Sequence, residues 1–290
     1  MQLPIEKKEF QLVECPRDAM QGWPHFIPTQ KKIEYIQSLL QVGFHTLDCG
    51  SFVSPKAIPQ MADTPEVFSK LDVQDTTTKL LAIVANLRGA RDAVHFEQLT
   101  YLGFPFSVSE TFQQRNTNSS IQESLARVAE IQNLCVQKNK SLVIYLSMGF
   151  GNPYGDPYNE EIVFGWAQKM ATMGVKIISV ADTVGLAEAE QIGRVVSYLI
   201  KELPAVQVGV HLHSTPFHWK QKIEAAWQAG CQRFDGAMKG IGGCPMADDV
   251  LVGNMDTELM IPFFKGKAQL SQMNEAALAR CSALAASIFV

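Results

Sequence analysis

The chain has no CxxC pair, no finger-like cysteine spacing and no long apolar run, and each absence removes a class of protein. Its six cysteines, Cys15, Cys49, Cys135, Cys231, Cys244 and Cys281, are scattered over 290 residues. That suits a reducing compartment, the cytoplasm, better than a disulfide scaffold. No Lys/Arg-rich tract interrupts the chain and the formal net charge is −4, which argues against a nucleic-acid partner. No stretch approaches the length needed to cross a bilayer. The opening MQLPIEKKEF is too polar for a secretory signal and carries acid where a transit peptide would not. A Gly-rich phosphate fingerprint is missing after the first strand pattern, which counts against a dinucleotide fold. Neither a Pro/Ser-rich linker nor a composition shift marks a second unit, so residues 1–290 read as one domain.

What is present is a hydrophobic fraction of 47%, enough for a large core, laid out in regular alternation. Short β-rich runs fall near 10–15, 44–48, 79–85, 105–109, 142–147, 176–181, 206–212 and 232–236. Between them, 29–41, 120–138, 159–173, 187–202 and 217–229 carry apolar residues at helical spacing. Ser120 with Glu123 predicts a capping box at the start of 120–138. Gly43, Gly103, Gly174 and Gly230 read as helix C-caps leading into the next strand. The Ala-rich stretch 270–290 predicts a C-terminal helix. Eight strand–helix pairs suit an α/β architecture of the (β/α)8 TIM-barrel type better than an open sheet.

Barrel enzymes build their sites at strand C-terminal ends, and unusual polar residues collect there. Glu14-Cys15-Pro16-Arg17-Asp18 follows the first strand, Asp48 ends the second, Ser109-Glu110 the fourth, Ser147 the fifth and Asp182 the sixth. His211 and His213 lie on the seventh, and Cys244 and Asn254 follow the eighth. Any one of them is equally an ordinary turn residue; the whole set is not so readily dismissed. Residues two apart on a strand face the same way, so the two histidines are either a pair of imidazole ligands or core residues satisfied by backbone. With the Asp18 carboxylate and the Asn254 amide oxygen they would form a mixed N/O shell with open positions. Such a shell suits Mg2+ or Mn2+, with Zn2+ left open.

Arg17 is a fixed cation able to stabilise a developing enolate oxygen, or simply a partner for Glu14 or Asp48. Asp48 and Asp182 are candidates for holding the histidines or the arginine in place, or plain structural ion pairs. Cys244 sits in Gly240-Ile241-Gly242-Gly243-Cys244-Pro245, a bent loop over the mouth. A thiol there acts as general acid or base only if its surroundings retune it. Asn116, Asn118 and Ser119 precede a helix N-terminus that could hold a phosphate, or are no more than a loop and its cap.

These motifs resemble the 3-hydroxy-3-methylglutaryl-CoA lyase family, within the wider group of barrel metallolyases and Claisen-type synthases. The resemblance is carried by VECPRDAMQ (13–21), SFVSPKAIPQM (51–61), SETFQQRNTNSSIQESL (109–125), ADTVG (181–185), HLHST (211–215) and GIGGCPMADDVLVGN (240–254). It implies a divalent metal on Asp18, His211, His213 and Asn254, with Arg17 stabilising an enolate and Cys244 as the loop thiol needed for turnover. It further implies an acyl-CoA substrate, cleavage to acetyl-CoA and acetoacetate as in leucine breakdown, and a homodimer. Asp48 stands where the family has a glutamate. Three departures touch the site's edges. Cys15 directly precedes Pro16 where a glycine normally intervenes, Ala19 replaces a glycine, and Ser214-Thr215-Pro216 follows the second histidine in place of Asp-Thr.

Other readings compete. A Claisen-type synthase of the isopropylmalate or homocitrate kind would use the same barrel to form a bond, but such synthases carry a long C-terminal extension and this chain stops soon after the eighth unit. A 4-hydroxy-2-oxo acid aldolase would not need the Cys244 loop. A catalytically silent acyl-CoA-binding barrel is the last, and the intact set of Arg17, Asp18, His211, His213, Cys244 and Asn254 speaks against it.

Overall fold

The computed structural model describes residues 9–243, 252–267, 270 and 273–290. Eight parallel strands close into a barrel: β1 (Gln11–Glu14), β2 (Thr46–Ser51), β3 (Lys79–Ile83), β4 (Leu99–Ser107), β5 (Ser141–Ser147), β6 (Ile177–Ala181), β7 (Gln207–His211) and β8 (Arg233–Gly236). Helices lie between successive strands, and β8 pairs back onto β1, so the sheet has no open edge. The fold is the (β/α)8 barrel that the alternation of runs predicts.

Outward-facing strand residues such as Leu12, Leu47, Leu80, Phe104, Ile144, Ile178, Val208 and Phe234 are buried beneath the helices. This layer is the main core, and its burial is the dominant favourable term for the fold. The expected terminal helix is present as Glu275–Ile288, tied to helix Thr29–Leu40 through Cys281 Sγ and Ser38 Oγ at 3.2 Å.

Register decides what the interior holds. Gln11 pairs with Arg233 and Val13 with Asp235 across β1 and β8, while Gly209 of β7 lies opposite Arg233. Alternate residues share a face, so Gln11, Gly209 and Arg233 form one inner layer, with His211 and Asp235 in the next layer toward the mouth. A Cβ on Gly209 would lie 2.9 Å from Arg233 Cδ; its absence lets the arginine side chain cross the interior.

Two expectations need correction. β4 begins at Leu99 rather than 105, and Gly103 is in its middle rather than capping a helix. A side chain at Gly103 would meet Ile83 Cδ1 at 2.6 Å and Tyr145 Cε2 at 3.0 Å, so the glycine serves close packing inside the wall. Ser109 does not end a strand. It N-caps helix Glu110–Thr117, accepting from the Phe112 N–H at 3.1 Å. Gly43, Gly174 and Gly230 do have the positive φ of caps, and the Ser120–Glu123 capping box is formed.

Candidate metal centre at the barrel mouth

β1 stops at Glu14, and Pro16 opens helix Pro16–Gln21 in the first turn, where a missing N–H costs nothing. This turn sets Arg17 and Asp18 at the mouth, both buried. Arg17 Nε donates to both Asp48 oxygens, at 3.2 and 3.1 Å. Its Nη2 donates to Asp48 Oδ2, and Nη1 reaches Asp18 Oδ1 at 2.8 Å. Burial works against the Arg17 charge, but Asp48 and Asp18 outweigh it and raise its pKa. Burial would likewise raise Asp18, yet Arg17, His211 and His213 hold its carboxyl below the usual range. Asp48 goes the other way, pushed up by burial that Arg17 only partly offsets.

The two histidines arrive from β7 with their rings 5.2 Å apart. His213 Nδ1 lies 2.9 Å from the Val252 carbonyl, which can only accept, so Nδ1 carries the proton and Nε2 keeps its lone pair. His211 Nδ1 lies 3.2 Å from Asp235 Oδ2 and is oriented in the same manner. Burial opposes charge on both rings. Asp235 nonetheless raises His211, while the neighbouring His211 lowers His213 further. Asn254, bridged to His213 in an isolated β-bridge, donates from its amide nitrogen to Asp18 Oδ2 at 2.8 Å and to the Ile241 carbonyl at 2.9 Å. Both hydrogens are thus placed, and among the described residues the buried Asn254 Oδ1 has no hydrogen-bond partner.

Asp18, His211 and His213 offer donor atoms that all lie within 4.8 Å of one another. An orphaned amide oxygen, normally costly when buried, beside two imidazoles and a carboxylate fits a divalent cation. Two nitrogens and two oxygens with room for more ligands match the mixed chemistry of a six-coordinate site. Gly242 (φ 110) is required close by: a Cβ there would stand 2.5 Å from Asn254 Nδ2 and 3.0 Å from the Asp18 carbonyl oxygen. Two residues later comes Cys244, which lies outside the described residues.

The remaining candidates fall elsewhere. The Asp182 carboxylate reaches neither histidine ring nor Arg17. It accepts from Ala187 N–H and from Lys222 Nζ at 2.9 Å, and Lys222 in turn donates to the His213 carbonyl at 2.8 Å. Asn116 and Thr117 line the mouth cavity, but Asn118 is the left-handed cap of helix Glu110–Thr117. Ser119 is buried, its hydroxyl shared with Thr117 and Ser124 at 2.7 and 2.8 Å. At helix Ile121–Gln137 the Ile121 N–H donates to Glu110 Oε2 at 3.1 Å and the Glu123 N–H to Ser120 Oγ at 3.2 Å. Two residues of the site have no counterpart among the sequence candidates. Asp235 orients His211, and Gln21 donates to Asp18 Oδ1 at 2.8 Å. The place of Asp235 one residue before the end of β8 was the available signal.

The mouth opens into a cavity of about 800 Å³, walled by Val53, Ile58, Ile83 and Phe112 and floored by Tyr145 and His211. Residues 10–284 match the HMGL-like family. The chain belongs to this family. The HMGL-like chain is 33% identical to hydroxymethylglutaryl-CoA lyase YngG of Bacillus subtilis over 259 residues, 88% of this chain and 85% of that one. It is 32% identical to a Pseudomonas aeruginosa 3-hydroxy-3-isohexenylglutaryl-CoA/hydroxymethylglutaryl-CoA lyase, covering 92% and 87% of the two chains. A solved structure of an HMG-CoA lyase from Acenitobacter baumannii, in complex with coenzyme A and 3-methylmalate, superposes with a TM-score of 0.89 at 30% identity, covering 100% of this chain and 93% of that one. With this family membership the chain is a carbon–carbon lyase. Among the described residues no helix is long and apolar enough to cross a membrane.

Proposed function

We propose that the chain is a divalent-metal-dependent lyase that cleaves 3-hydroxy-3-methylglutaryl-CoA, or a close 3-hydroxyacyl-CoA, to acetyl-CoA and acetoacetate. The observation that carries this reading is that donor atoms of Asp18, His211 and His213 lie within 4.8 Å of one another, with the Asn254 amide and the Arg17 guanidinium both on the Asp18 carboxylate. A bound divalent cation supplies Lewis acidity toward the substrate's hydroxyl and acyl oxygens.

The chain's own residues do the rest. Asp48 anchors Arg17 through three contacts, so the guanidinium is held without reorganisation where negative charge develops. His213, or Asp18 through a water, takes the proton of the tertiary hydroxyl, and that oxygen forms the carbonyl of acetoacetate as the adjacent carbon–carbon bond breaks. The bonding pair passes to the acetyl-CoA enolate, whose oxygen faces Arg17. Protonation of that carbon completes acetyl-CoA, and Cys244 is the proposed donor once its loop covers the mouth and excludes water. The apolar cavity wall leaves space for the substituent at carbon 3.

The deciding assay incubates metal-stripped protein with 3-hydroxy-3-methylglutaryl-CoA, with and without Mg2+ or Mn2+, and measures acetoacetate. Cation-dependent acetoacetate is the expected result. No acetoacetate with either cation overturns this substrate assignment, and cation-dependent cleavage of another 3-hydroxyacyl-CoA would move it to that substrate.

A further inference from the structure

Beneath the mouth the barrel holds a second trio. Cys15 Sγ, a nitrogen of His211 and an Asp235 carboxylate oxygen all lie within 4.8 Å of one another. All three are held by backbone register. Cys15 N–H donates to the Gly236 carbonyl at 2.8 Å, one residue beyond Asp235, and His211 is on the strand paired with β8. Cys15 is fully buried and Asp235 is 2% exposed, so neither is part of the solvent-facing rim.

Two further observations point to a ligand here. Among the described residues Asp235 meets His211 through Oδ2, while its buried Oδ1 has no hydrogen-bond partner. The 3.2 Å between His211 Nδ1 and Asp235 Oδ2 is also the separation of two ligands on one cation, each bonded at about 2.0–2.1 Å with an angle near 100°. Burial pushes the Cys15 thiol well above its usual range, and the carboxylates of Asp235, Asp48 and Asp18 add to it. A cation that binds sulfur strongly reverses that balance.

We propose that Cys15, His211 and Asp235 form a second, interior site for a thiophilic divalent cation such as Zn2+, distinct in chemistry from the oxygen-rich set at the mouth. Loading it releases the Cys15 thiol proton to solvent and moves the single His211 ring proton from Nδ1 to Nε2. With its proton there, His211 can no longer offer a lone pair to the mouth. In that clause alone the inference rests on the reading under Proposed function: the interior site is inhibitory, competing with the mouth for one histidine. A thiolate ligand selects Zn2+ or Co2+ over Mg2+, which is how the two sites tell cations apart.

The test uses Co2+, whose thiolate complexes show a near-ultraviolet charge-transfer band that oxygen and nitrogen ligands do not produce. Metal-free protein is titrated with Co2+ as wild type, Cys15→Ser, Cys244→Ser and Asp18→Asn, each checked for folding by circular dichroism. The expected pattern is a saturable band in wild type, Cys244→Ser and Asp18→Asn, and its loss in Cys15→Ser. No band in wild type overturns the proposal without reference to any variant. A band that survives Cys15→Ser, or is lost in Cys244→Ser, assigns the sulfur elsewhere and also overturns it. Should Cys15→Ser not fold, X-ray absorption of Co2+-loaded Cys244→Ser replaces it, with one sulfur ligand expected and none contradicting the site. Asp18→Asn removes a mouth donor but no interior one, so a band retained there alongside absent lyase activity in wild type would sink the proposed reaction and leave the interior site standing.

Discussion

Arg17 and Arg233 are both buried inside the same barrel, yet the two ends treat them differently. At the mouth, Arg17 is clasped by Asp48 and touches Asp18. In the deeper layer, Arg233 is fully buried, its Nη1 donating to Gln11 Oε1 at 2.9 Å while Nε and Nη2 have no hydrogen-bond partner. A buried charge costs several kcal/mol unless paired. The mouth meets that cost with carboxylates, and so keeps a guanidinium rigid beside the cation-binding set. The interior instead leaves Arg233 only a neutral amide and the Tyr101 ring, 5.9 Å from its guanidinium carbon. Pairing marks the end where the position of the charge has work to do.

The sharpest way to break this contrast is Arg17→Met. Turnover should fall by about 10²–10³-fold, the usual loss when an oxyanion donor is removed. Stability to urea should fall by about 3–5 kcal/mol, because Asp48 is left buried without its cation. A change below about 1 kcal/mol would show that the pair is not what holds the mouth together.

Glu14 tests a third way of handling a buried charge. It sits on β1, accepting from Met238 N–H at 2.8 Å and Thr257 Oγ1 at 2.6 Å, and burial pushes its pKa to about 8. The unfolded chain releases this proton near the ordinary value of 4.5 while the folded chain retains it up to about 8. Between those values the folded state binds more protons, so stability falls as pH rises, by up to about 1.4 kcal/mol per pH unit. Glu14→Gln, whose amide can donate to Thr257 and accept from Met238, should remove most of that slope. Urea melts at pH 5 and pH 8 check it, and an unchanged slope in the variant would assign the dependence to other groups.

The smallest effect belongs to Arg233→Met. Replacing an incompletely satisfied interior cation with an apolar chain of similar length should leave stability within about 1 kcal/mol of the parent, or raise it. A loss as large as that of Arg17→Met would mean that the two arginines are equally well supported, and the contrast would collapse.

Much of this was readable from residues in order. The alternation of runs announced the barrel, and the i, i+2 spacing of His211 and His213 placed both rings on one side of a strand. Local signals misled wherever a residue type serves two purposes. Gly103 looked like a helix cap because glycine favours caps, but its strand needs the missing side chain for close packing. Asn118 and Ser119 precede a helix terminus, and only the fold shows that the Ile121 N–H there donates to Glu110. Asp182 was placed at the right strand end, and only the approach of Lys222 from helix Trp219–Gln228 shows where its carboxylate turns.

The sequence by itself determined the barrel, the rim and most of the donor atoms, because hydrophobic period and strand parity are local properties of the chain. Only the tertiary structure decided that Asp48 belongs to Arg17, that Asp235 orients His211, and that the Asn254 amide nitrogen meets Asp18. Those pairings join residues from different strands and loops, and closure of the sheet sets their distances.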